Sequence, residues 1–146
     1  MNIEEMIGHI RATNIEVTLF SSDEVWDYKE EWFKKFIPAD RHKDALNSFC
    51  LSNGGFLWHA FSYKILNCVE GDDAKIAFNE QAKNSAVLLD NSSKKAIAYC
   101  IDDISIISAE EIDALTDVIL TDLDFGWTYA KTHEVFLGPY FYKKIK

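Results

Sequence analysis

The chain is short of arginine, cysteine, glycine and proline, and each shortage excludes something. Of its 15 basic residues only Arg11 and Arg41 are arginine, the side chain whose planar fork makes paired contacts to phosphate and guanine. Nucleic acid is therefore not an expected partner, and a net charge of −9 would repel a duplex or an anionic membrane leaflet as well. The three cysteines, Cys50, Cys68 and Cys100, are widely spaced with no C-x-x-C, which is neither a disulfide framework nor a zinc-finger pattern. Reduced core thiols and a cytoplasmic location are expected. Only 6 Gly and 2 Pro occur in 146 residues, which rules out collagen-like and low-complexity chains. Long apolar runs are missing too. The uncharged stretch from Ala45 to Tyr63 is broken by Asn47, Ser48, Ser52, Asn53, Gly54, Gly55 and His59, so it reads as protein interior and not as a membrane span. The acidic start, Met1 to Glu5, does not read as a secretory signal. No phosphate-cradling glycine motif and no G-x-S-x-G is present, so neither a cofactor nor a serine nucleophile is expected.

What is there is a core. The sequence is 48% hydrophobic and 14% aromatic, and a chain of this length fits one domain. Ile3, Met6, Ile7 and Ile10 recur at helical spacing. Ile15 to Phe20 alternates as a strand. Ser21 with Glu24 makes a capping box ahead of a helix. On that helix Val25, Tyr28, Trp32 and Phe36 line one face, with Trp26, Phe33 and Ile37 beside it. Its solvent face is Asp27, Lys29, Glu30, Glu31, Lys34 and Lys35, and Pro38 closes it. A third helix is expected over 40–51 and a buried strand over 56–61. A fourth helix opens at Gly71 with Ala74, Ala77, Phe78 and Ala82 inward. A hairpin joins 86–89 to 96–101, and Ser108 with Glu111 begins a further short helix. The tail reads as a three-stranded meander over 118–121, 127–133 and 140–145. The expected fold is a single α+β domain, with a largely antiparallel sheet and four to five helices.

Candidate chemistry centres on Thr132-His133-Glu134, at the end of a strand whose alternation puts Trp127, Tyr129, Lys131 and His133 on one face. His133 and Glu134 then point apart, so acid–base work would need a partner from elsewhere, and His59 is the candidate. The alternative is that both histidines tie strand ends to backbone groups. No His, Cys or carboxylate pair has a zinc-type spacing, and Asp122 and Asp124 flank a turn whose amides they would satisfy. No metal site is expected. Trp127, Tyr129 and Tyr140 belong to an aromatic stretch that would serve either as a binding wall or as sheet core.

Two blocks, Leu57-Trp58-His59-Ala60-Phe61-Ser62 and Phe125-Gly126-Trp127-Thr128-Tyr129 with Thr132-His133-Glu134 and Gly138-Pro139-Tyr140-Phe141, resemble a bacterial family of small cytoplasmic proteins, the domain of unknown function DUF4275. The likeness runs from about Ile15 to the C-terminus. It implies a shared architecture and carries no assigned activity.

The acids are unevenly placed. Residues 102–124 hold Asp102, Asp103, Glu110, Glu111, Asp113, Asp117, Asp122 and Asp124 and no Lys or Arg. Three functional expectations follow. One is a non-enzymatic interaction domain in the style of small acidic immunity proteins, binding a basic protein partner through Glu110, Glu111 and Asp113. Another is a small hydrolase or metal-dependent enzyme working through His59, His133 and Glu134. A small-ligand binder using the aromatic wall is a third.

Overall fold

The computed structural model describes residues 2–41, 67–90, 96–133 and 138–144. Among them are four α-helices: α1 (Ile3–Ala12), α2 (Ser22–Phe36), α3 (Asp72–Glu80) and α4 (Ala109–Asp113), with a 3-10 turn at Ala39–Arg41. The strands are β1 (Val17–Leu19), β2 (Val69–Glu70), β3 (Ala86–Asp90), β4 (Ile97–Ile101), β5 (Val118–Asp122), β6 (Trp127–Lys131) and β7 (Tyr140–Lys143). They form one antiparallel sheet in the order β1-β4-β3-β5-β6-β7-β2, and the fold is α+β as expected.

Helix starts follow from local chemistry. The Asn2 side chain accepts the Glu5 amide at the head of α1. At α2 the capping box closes in both directions, Ser21 Oγ accepting the Glu24 amide and Glu24 Oε1 accepting the Ser21 amide. Ser108 and Glu111 repeat the device at α4. Ile37 is extended, as a residue before proline must be. Ser21→Ala is accordingly expected to cost about 1 kcal/mol, read as a shift of the urea midpoint at constant slope; no shift would mean that the cap does not hold the helix in solution.

The sheet is covered on both sides. Met6, Ile7 and Ile10 of α1, Ala74 and Phe78 of α3, and Ala109 and Ile112 of α4 pack on Leu88, Leu120, Trp127, Tyr129 and Phe141. On the opposite face Val25, Trp32, Phe33 and Phe36 of α2 pack on Val87, Leu89, Ala98, Ile119, Ala130 and Tyr140. All five residues of β3 are therefore buried. The two edges are short, β1 with three residues and β2 with two, which limits edge-to-edge pairing. Arg11 also covers the β1 edge, donating to the Val17 carbonyl at 3.1 Å.

Several expectations need adjustment. Lys29 is buried and not on the solvent face of α2, because 25, 29, 32, 33 and 36 fall on one stripe and a lysine stem lies well along apolar neighbours. α3 stops at Glu80, leaving Ala82 exposed beyond its end. β2 was not foreseen, since two residues carry no periodicity. The helix expected over 40–51, apart from its first residues in the 3-10 turn, and the strand over 56–61 lie outside the described residues.

Candidate functional site

Among the described residues, a cluster of polar contacts lies where β5 and β6 meet the end of α4. Pairing of Val118 with Lys131 puts Asp117, just before β5, beside His133, just after β6. The buried Asp117 carboxylate takes two donors from that residue. The His133 main-chain N–H donates to Oδ1 at 2.9 Å, and the ring Nδ1 lies 2.7 and 2.9 Å from Oδ1 and Oδ2. A carboxylate only accepts, so Nδ1 carries the proton and in the neutral ring the lone pair sits on Nε2. The carboxylate is 9% exposed and the imidazole 48%.

Four residues earlier, at the end of α4, the pattern repeats. The Tyr129 hydroxyl donates to Asp113 Oδ1 at 3.0 Å, and Lys75 Nζ of α3 lies 3.1 Å from Asp113 Oδ2. Burial, reinforced by the Asp113 charge, pushes the Tyr129 hydroxyl above the ordinary tyrosine range. The contact of Lys75 with Asp113 raises the lysine above its ordinary value. Asp113 thus holds β6 at Tyr129, and Asp117 holds the chain just beyond β6 at His133, each pair 16 residues apart in sequence.

The sequence-derived candidates fall as follows. His59 and Glu134 lie outside the described residues, so His133 is described with Asp117 and not with them. Trp127, Tyr129 and Tyr140 are 3%, 0% and 1% exposed, which puts them in the sheet core. Glu110 and Glu111 are exposed, whereas Asp113 is half-buried in its bonds to Tyr129 and Lys75. Asp122 serves its turn, accepting the Gly126 amide at 3.0 Å; a Cβ on Gly126 would come within 2.8 Å of that oxygen. No group of three or more His, Cys, Asp or Glu able to hold a metal occurs among the described residues, nor does a helix long and apolar enough to cross a membrane.

A family model described as a domain of unknown function, DUF4275, matches residues 3–141. The chain belongs to the DUF4275 family. Neither a curated protein nor a solved structure matches it. Within the DUF4275-like block 125–141, Trp127, Thr128, Tyr129, Thr132, Pro139, Tyr140 and Phe141 are buried, and His133 is the exposed member among the described residues. Gly138 has φ of +73°, and a Cβ there would meet the Tyr140 ring at 3.0 Å, so glycine is favoured at this position by backbone and packing alike. Most of the block is architecture.

Proposed function

We propose that this DUF4275 domain is a non-enzymatic protein-interaction module, of the kind that small acidic immunity proteins represent, and that it binds a basic protein partner through the acids of 102–124. The observation that carries this is their partition. Asp113, Asp117 and Asp122 are engaged within the fold. Asp102, Asp103, Glu110, Glu111 and Asp124 remain exposed. Glu16, also exposed, joins Asp102 because its carbonyl accepts the Asp102 amide. The loops are stitched together around Asn84 and Ser85, whose carbonyls accept the amides of Ile104 and Leu123. The loops that carry these charges are tied to the sheet, and charge complementarity acts chiefly on association rate and specificity.

Asp113 and Glu111 make poor probes, because one anchors Tyr129 and the other closes a capping box. The triple reversal Asp102→Lys, Glu110→Lys, Asp124→Lys uses exposed side chains instead. Capture of a basic protein from lysate is expected at about 50 mM salt, to weaken strongly at about 500 mM, where screening is nearly complete beyond a few ångströms, and to be lost in the reversal variant at unchanged circular dichroism. Capture indifferent to salt, or retained by the reversal variant, would refute the reading.

A second reading, proton transfer at His133, has the Asp117 bond in its favour, since a carboxylate on Nδ1 is the arrangement that orients a histidine base. It requires Glu134 or His59 within hydrogen-bond reach of the reacting group. Nuclear Overhauser contacts between these side chains and the His133 ring are its test, and separations beyond about 10 Å would end it.

A further inference from the structure

An open groove of about 800 Å³ runs between the C-terminal half of α3 and the β7–β2 edge, far from the acids of 102–124 in sequence and made of other elements. Its volume is within the range of small-molecule sites, roughly 300–1,000 Å³. Phe141 of β7 and Val69 of β2, paired across the two strands, give it an apolar wall, and Val69 is exposed. Its two charged side chains are of opposite sign and come from different walls, Glu80 from the helix and Lys143 from the strand. Both are exposed and neither takes part in an ion pair of the described residues. Gln81 adds an amide to the rim.

We propose that this groove binds a small zwitterion with an apolar side chain, an α-amino acid or a short peptide of such residues. Its carboxylate meets Lys143, its ammonium meets Glu80, and its side chain lies against Phe141 and Val69. The helix end contributes in the same sense, since the C-terminal turn of α3 carries the negative pole of its dipole and favours an ammonium near Glu80. A single net charge on the ligand would leave one of the two wall charges facing its own sign or nothing, so the pairing selects a molecule carrying both.

The test is calorimetric titration of the full chain with free leucine, phenylalanine and valine and with their dipeptides, each up to millimolar concentration. Binding by at least one is expected, and whether the free amino acid or the dipeptide is preferred reports the spacing of the wall charges. Glu80→Gln and Lys143→Gln, both at exposed positions, are each expected to weaken that binding at least tenfold with the fold unchanged by circular dichroism. N-acetylation or amidation of the ligand should weaken it comparably on the unaltered protein. Absence of binding by every member of the panel, or affinity unchanged in either variant, overturns the proposal. Neither outcome bears on the acidic surface.

Discussion

Replacing Asp117 by alanine is expected to destabilise the domain by about 2–4 kcal/mol. Its carboxylate accepts the His133 main-chain N–H and the Nδ1 proton, and hydrogen bonds to a charged group are worth about 1.5–3 kcal/mol each. The recovered hydration of a buried carboxylate offsets part of that sum, while half-exposure of the imidazole lets water replace part of the ring bond. His133→Ala should cost less, about 1–2 kcal/mol, because the main-chain bond survives. Asp117→Asn should be mildest, since its amide oxygen still accepts from the main chain. Urea unfolding of the three variants and of the Asp117→Ala/His133→Ala double variant gives the coupling energy directly. An Asp117→Ala variant as stable as the parent would show that the carboxylate does not hold the β5–β6 hairpin. The order of the three separates this clasp from a merely tolerated surface pair, for which all three would fall within about 0.5 kcal/mol.

The same pair marks where the sequence stops being readable. The helices were legible because their signals are local: Ser21 with Glu24, Ser108 with Glu111, and the spacing of Met6, Ile7 and Ile10 each span a turn or two. The meander of 118–143 was legible as well, from alternation and turn residues, and its strands pair as neighbours. The His133–Asp117 contact spans 16 residues and depends on register. Matching Thr121 with Thr128 across the Asp124-Phe125-Gly126 turn sets Asp117 beside His133, but no one-dimensional pattern announces that match. The aromatic stretch, readable either as a binding wall or as sheet core, was left open for another reason. Alternation sends one set of side chains to solvent only when one face of the sheet is bare. Here α2 covers the second face, so Trp127 and Tyr129 enter one core layer and Tyr140 the other. Lys29 follows from the same coverage: once α2 lies flat on a sheet, even a lysine within its apolar stripe is enclosed.

That coverage rests heavily on one side chain, and Trp32→Ala is expected to be the most damaging of the changes considered, at about 3–5 kcal/mol. Trp32 is wholly buried, its ring centroid 4.9 Å from that of Phe36, and it belongs to the layer that joins α2 to Val87, Ile119 and Ala130. Its indole N–H donates to Thr121 Oγ1 at 3.1 Å, and that oxygen lies 2.8 Å from Thr128 Oγ1, so the helix is tied to a cross-strand hydroxyl pair as well as packed upon it. Truncation opens a cavity under the helix that covers this face and removes the donor at the same time. Trp32→Phe keeps most of the ring contacts and loses only the donor and the second ring, so about 1–2 kcal/mol is expected. Against a total stability on the order of 5–15 kcal/mol, the alanine variant should melt on the order of 10 °C lower. The phenylalanine variant should remain cooperative with an unchanged denaturant slope. A loss below about 1 kcal/mol for Trp32→Ala would mean that α2 does not seal the sheet in solution. Val87, Leu89, Ile119 and Ala130 would then be open to solvent, and this second face, in place of the acidic loops, would be the surface on which a partner has to be sought.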